Sequence, residues 1–233
     1  RCIYPYSDEE AAKVMAYASW LENRVVKLAG EALGSLQPAA LFSGTGIARI
    51  AVNRRNNTEG KLLPTSTLAG PQDHAVPTLK VTDTDGDIIA VVFGYACHAT
   101  VLDGYVWCGD YPGFAQIAVE ESHPGATAMF FAGCGADQNP MPRRSVSLAK
   151  QHGQTLAAAV EQVLSETMRT LDAKLTTAYK EIDLALAEPP DANTLKERIA
   201  NTGGYERDCT QLLLDRLDRG ESLPSVYSYP IQL

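Results

Sequence analysis

Apolar residues recur along the chain in two rhythms, and each rhythm predicts its own kind of element. Val14, Ala18, Leu21, Val25, Leu28 and Ala32 return every three to four residues, which places them on one face of an amphipathic helix. Ser7-Asp-Glu-Glu10 supplies a capping box at its start, and Gly34 a stop. This helix reads as scaffold. The rhythm then changes to short apolar runs bounded by turn residues, the mark of strands: 39–43, 47–52, 78–82, 88–93 and 126–132. Helical spacing returns over 112–121, with Pro112 in the first turn, and over Ser147–Met168, where Leu148, Leu156, Ala159, Val160, Val163 and Leu164 face the core. A strand over 176–187 ends at Pro189-Pro190, two helices (191–201 and 205–219) turn about Gly203-Gly204, and 227–233 begins a last strand. These elements predict a mixed α/β (α+β) fold, a mixed β-sheet core flanked by helices. Residues 1–233 read as a single domain with a helical-hairpin subregion over 188–220.

The polar interruptions refine this picture. Asp83-Thr-Asp-Gly-Asp87 has the look of a calcium loop, but its glycine comes too early and Gly94 stands where a bidentate glutamate is needed, so the segment reads as a hairpin turn. Gly44-Thr-Gly46 lacks the third glycine and the following helix of a dinucleotide fingerprint. Residues 57–75 form a surface loop carrying His74, and Asn53-Arg54-Arg55-Asn56-Asn57 places two guanidinium groups at a strand end. Asp110 falls at or just before the start of the 112–121 helix, where a carboxylate accepts helix amides; His123 closes that helix. Two loops leave apolar strands with polar residues at their mouths. One carries His98, the other is Gly133-Cys-Gly-Ala-Asp-Gln-Asn-Pro140, whose glycines let backbone N–H groups converge on an anion or a substrate oxygen.

Composition changes the picture little. A hydrophobic share of 45% with 21% charged residues is ordinary for a globular protein, and no apolar run reaches membrane-spanning length. The net charge of −8 argues against a nucleic-acid partner and fits a small neutral or cationic substrate. Five cysteines, at 2, 97, 108, 134 and 209, lack the spacing of a disulfide framework and read as small packed side chains. A Cys97–Cys108 or Cys108–Cys134 bridge would require an oxidising compartment. The chain opens at Arg1 without a signal sequence and closes inside a strand, so it reads as a piece of a longer one.

By residue type, the candidate chemistry rests on His98, Asp110, Asp137, Asn139, Arg54 and tyrosines 95, 105 and 111. There is no Gly-x-Ser-x-Gly elbow, P-loop or His-Glu-x-x-His motif. One histidine alone does not make a zinc site. Residue chemistry therefore defines a pocket with a histidine and an aspartate, and stops there.

Tyr95-Ala-Cys-His-Ala-Thr100, Gly109-Asp-Tyr-Pro-Gly-Phe-Ala115 and Met129-Phe-Phe-Ala-Gly-Cys-Gly-Ala-Asp-Gln-Asn-Pro140, in that order, resemble the motifs of the neutral/alkaline non-lysosomal ceramidases, with Asn53-Arg54 similar to that family's arginine loop. The resemblance covers about residues 35–170. It implies an N-terminal catalytic domain of a zinc-dependent hydrolase that cleaves an N-acyl amide of a small-molecule or lipid-like substrate with metal-activated water. It further implies that His98 ligates zinc and that Arg54 orients a carboxylate. Asp110, Asp137 and Asn139 then stand at motif positions of the catalytic site, the aspartates as braces, while Gly133, Gly135 and Tyr111 contact substrate. A secreted or periplasmic location and a role in sphingolipid metabolism go with it. Two departures qualify the match: Asn139 replaces a serine of the family and Ala99 a proline. The remaining zinc ligands of the family have no counterpart in these residues, so the chain by itself is expected to be inactive. The alternatives are a non-catalytic binding module on the same fold, or a metal-dependent esterase or phosphoesterase.

Overall fold

The computed structural model describes residues 7–62, 66–172 and 174–233. Contacts divide the chain into two compact units, one formed by Gln37–Lys174 and the other by the flanking segments Arg1–Leu36 and Leu175–Leu233.

The central unit is built on a five-stranded mixed sheet. Its strands are β1 (Ala40–Ile47), β3 (Ala75–Thr82), β4 (Ile88–Tyr95), β5 (Thr127–Ala132) and β7 (Arg169–Thr170), in the order β5-β4-β3-β1-β7. β1, a single strand where sequence predicts a break at Gly44–Gly46, pairs antiparallel with β3 and places those glycines beneath helix α3 (Val146–Ser165). A Cβ on Gly46 would meet the Ala159 carbonyl oxygen at 2.7 Å, so the glycine is what lets the helix lie this close.

β3 and β4 form the hairpin expected at Asp83–Asp87. The Asp83 carboxylate accepts from the amides of Asp85 and Asp87, and Gly86 takes a positive φ of 93°. β4, α2 (Asp110–Ser122) and β5 make a βαβ unit in which β4 and β5 run parallel from Ala90↔Thr127 to Tyr95↔Ala132. A further two-stranded sheet joins β2 (Ala51–Asn53) to β6 (Gln138–Pro140), so the glycine loop contains a strand that sequence did not predict.

α2 packs on β5 and α3, and α3 on β1 and β3, covering one face of the sheet. The core beneath them holds Val76, Val91, Phe93, Tyr95, Val101, Tyr111, Val119, Leu156 and Val160. Tyr111 stands edge-on to both Tyr95 and Phe130. On the other face Ser43, Pro77, Leu79, Val92, Phe131 and Arg169 line an open hollow of about 510 Å³.

In the second unit, α1 (Asp8–Gly34) carries the predicted capping box: the Glu10 amide donates to Ser7 Oγ at 3.2 Å and Glu10 Oε2 accepts from the Ser7 amide at 2.8 Å. No described residue of α1 is buried, so its apolar stripe is not covered as a scaffold helix requires. Periodicity fixes which face is apolar, not what lies against it. β8 (Tyr179–Ala185) pairs antiparallel with β9 (Val226–Gln232), and α4 (Ala192–Asn201) with α5 (Gly204–Asp218) forms the expected hairpin, closed over Leu195 and Leu214. Asp191 caps α4 by accepting from the Thr194 amide, which holds its carboxyl below the usual range. No helix among the described residues is long and apolar enough to cross a membrane.

Candidate functional site

The parallel pairing of β4 and β5 decides where the two polar loops meet. Tyr95 and Ala132 are paired neighbours, so the backbone leaves both strands at the same sheet end and side by side. The first loop runs on to His98, the second to Gly133–Asp137. Gly133 N–H donates to the Tyr95 carbonyl and His98 N–H to that of Gln138, stitching one loop to the other. Gly135 makes the contact possible: a Cβ there would lie 2.3 Å from the Cys97 nitrogen.

β2 brings the arginine to the same place. Its pairing with β6 sets Asn53 opposite Gln138, and the next amide, of Arg54, donates to the Asp137 carbonyl at 2.7 Å. The Ala136 carbonyl oxygen then receives two side chains at once, His98 Nε2 at 3.1 Å and Arg54 Nε at 3.0 Å. A carbonyl only accepts, so His98 Nε2 carries its proton and the lone pair of the neutral ring lies on Nδ1. A histidine that ligates a metal usually donates its other ring N–H to a carbonyl or carboxylate in this way. Arg54 is held by its Nε edge, which leaves its terminal amino groups for an oxygen ligand. Among the described residues no carboxylate pairs with it.

The other expected site residues fall into two groups. Asp137 and Asn139 lie in the loop itself. Asp137 Oδ2 accepts from Asn53 Nδ2 at 3.0 Å, which makes it a brace for the arginine turn. Asn139 pairs with Val52 in the small sheet and lines a cleft of about 20 Å³ with Arg54, Asn57, Glu59 and Leu62. Gly133 and Gly135 both use their N–H groups within the protein, on Tyr95 and on Gly133 itself, so those two donors do not converge on a ligand as predicted.

Asp110 and Tyr111 are buried beneath the histidine loop. Asp110, at a positive φ of 53°, accepts from the amides of Val101 (3.2 Å), Leu102 (2.8 Å) and Tyr111 (2.8 Å). It thus ties the chain beyond His98 back to α2, beyond ordinary capping. Tyr111 is fully buried and its hydroxyl donates to the Cys97 carbonyl; the expected substrate contact is replaced by support from below. Burial pushes its ionisation well above the ordinary tyrosine range.

Two supports, Gln138 and Arg143, escaped sequence reasoning, and Tyr95, a candidate there, is a third. Gln138 is buried, donates to the Ala96 carbonyl, and accepts from the Asp73 amide at 3.0 Å. The Tyr95 hydroxyl donates to the Ala48 carbonyl and accepts from the amides of Ile50 and Ala51, and burial pushes it to about 12. Arg143 forms a two-armed ion pair with Glu59 and reaches Thr100, drawing Glu59 below the usual carboxylate range. A lone Gln or Arg in a loop has no periodicity to reveal it; only the fold shows what it joins. Cys97 is buried, and desolvation pushes its thiol to about 12. Cys97, Cys108, Cys134 and Cys209 are all free thiols, whereas Cys2 and loop residues 63–65 lie outside the described residues. His74 is half-buried on the Ala51 carbonyl and His123 on Glu161, and His152 is buried on the Pro142 carbonyl, each in a packing role. No three His, Cys, Asp or Glu side chains gather to hold a metal among the described residues.

The class of scaffold the chain defines is therefore a mixed α/β sheet whose one parallel pair, β4 and β5, delivers both loops to the same sheet end. Two solved structures share it more closely. A neutral ceramidase from Pseudomonas aeruginosa matches with a TM-score of 0.56 and 19% identity, over 68% of this chain and 28% of that one. A ceramidase solved as a complex with C2 matches with a TM-score of 0.54 and 17% identity, over 63% of this chain and 25% of that one. The likeness is one of fold, and the chain spans about a quarter of the length of these ceramidases. No protein-family model matches, and neither does any curated protein.

Proposed function

We propose that this chain forms part of a zinc-dependent hydrolase of the neutral ceramidase type, cleaving an N-acyl amide bond in a lipid-like substrate. The observation that supports the reading is the convergence of His98 and Arg54 on the Ala136 carbonyl at the carboxyl ends of β4 and β5. In this reading His98 is a zinc ligand through Nδ1, its ring oriented by the Nε2–H bond to Ala136. Zinc, when bound there, would polarise the amide carbonyl and activate water. Arg54 holds a substrate or product oxygen with its terminal amino groups, and Asn139 stands beside it on the cleft wall. Asp110, Asp137 and Gln138 act through the loops, fixing where the imidazole and guanidinium stand. In this reading His98 is one ligand of a larger set, and activity requires the others.

The test is metal analysis and amide turnover in the whole hydrolase and in its His98→Ala variant. The variant should lose stoichiometric zinc and at least roughly a hundredfold in turnover. Equal zinc in both would remove His98 from the ligand set. Retained lipid binding without zinc or turnover in the parent would instead favour a binding module on the same fold. The observation on that side is Asn139, which stands where the resembled family has a serine.

A further inference from the structure

Between the His98 turn and α2 the chain makes a finger, residues 103–109, whose tip is Tyr105-Val-Trp107. Tyr105 is 108% exposed, Val106 74% and Trp107 99%. Single exposed apolar residues are ordinary on a protein surface. Three in succession, two of them large aromatics, are not.

The root of this finger is fixed while its tip is bare. Asp110 holds the amides of Val101 and Leu102, and the Arg144 amide donates to the Val101 carbonyl at 2.7 Å. Arg144 also pairs with Asp103 at 2.9 Å, next to the Arg143–Glu59 pair. The root therefore sets Arg143 and Arg144 against Glu59, Asp103 and the buried Asp110, and no charged residue lies between Asp103 and Asp110. The tip itself carries no charge, on a chain of net charge −8.

We propose that Tyr105, Val106 and Trp107 insert into a neutral, zwitterionic lipid–water interface and seat the candidate site against it. Tyrosine and tryptophan pair an apolar ring with a polar edge, the chemistry that places them at the headgroup level of a membrane. A protruding tip of successive side chains suits a fluid interface, whereas a folded protein partner offers fixed pockets to fixed anchors. Charge selects among lipids: the tip is uncharged, the two root arginines are already paired with Glu59 and Asp103, and the overall negative charge disfavours anionic headgroups. The inference rests on the proposed lipid-amide substrate for its purpose, but the binding itself requires neither metal nor turnover.

The chain has two tryptophans, Trp20 and Trp107, so Trp20→Phe in the full chain leaves Trp107 as sole reporter. Phosphatidylcholine vesicles should shift its emission to the blue, and brominated lipid should quench it. Tyr105→Ser with Trp107→Ser should weaken vesicle sedimentation about tenfold or more, with the far-UV spectrum unchanged. His98→Ala should bind vesicles as the parent does, which separates this result from failure of the hydrolase reading. Unmoved Trp107 emission would overturn the proposal. So would undiminished binding by the double serine variant, which would hand the interaction to the exposed apolar stripe of α1. A blue shift that follows protein concentration without lipid would also overturn it, by assigning the tip to a second copy.

Discussion

At the scale of single residues, the Ala136 carbonyl and the glycine before it settle how the site is assembled. His98 and Arg54 lie far apart in sequence and share one acceptor. That acceptor stands where it does because Gly135 lies against the backbone of residues 96 and 97. Alanine at 135 would bring its Cβ to 2.3 Å from Cys97 N and 2.5 Å from the Ala96 carbonyl carbon, both backbone atoms with little room to yield. At Gly133 the nearest atom would be Ala96 Cα at 3.3 Å, a contact a few tenths of an ångström of adjustment relieves. Gly135→Ala should therefore cost about 2–4 kcal/mol in urea unfolding and Gly133→Ala about 1 or less. Equal losses at the two positions would mean that the loop is not seated as described.

At the scale of elements, the ion pair of Glu59 and Arg143 joins the short 3-10 turn Glu59–Lys61 to the bend between β6 and α3, and Arg143 reaches on to Thr100 in the histidine loop. The bond to Arg143 lowers the Glu59 pKa from 4.5. A lowered carboxylate pKa gives stability that is fully present above the unfolded value and lost as pH falls through the folded one. Glu59→Gln should thus be less stable than the parent near neutral pH, by on the order of 1 kcal/mol because Glu59 is partly open to solvent. The gap should narrow as the pH drops below about 4.5, and thermal melts of both proteins across that range would measure it. A gap independent of pH would assign the loss to packing. The same elements show what sequence can carry. The hairpin at Asp83–Asp87, the helix after Pro112 and the capping box at Ser7 were legible because each depends on neighbours in sequence. Asp137 was legible as a brace, and His98 with Arg54 as a cluster, through motif order. The β2–β6 pairing, the Gln138 hub and the burial of Tyr111 were not, since each depends on which distant strand lies alongside.

At the scale of the whole molecule, the distribution of buried apolar residues defines what must fold together. The continuous core runs from Ala48 to Val160 and includes the rings of Phe93, Tyr95 and Tyr111. Every member lies inside Gln37–Lys174, as do both loops of the candidate site. The flanking segments make their own closures: α4 against α5 over Leu195 and Leu214, and β8 against β9, whose residues are nearly all exposed. Burial supplies most of the cooperativity of folding, so the segment that owns the core should own the transition. A chain of residues 37–174 is within the ordinary size of an independent domain. It should unfold in one cooperative step with a midpoint within about 5 °C of the main transition of the full chain, since no core contact is removed. Near-UV circular dichroism of its buried tyrosines should survive the truncation. Loss of that signal together with a broad, non-cooperative melt would show that the flanking segments complete the core, and the sheet could no longer be treated as the self-sufficient support of the His98–Arg54 cluster.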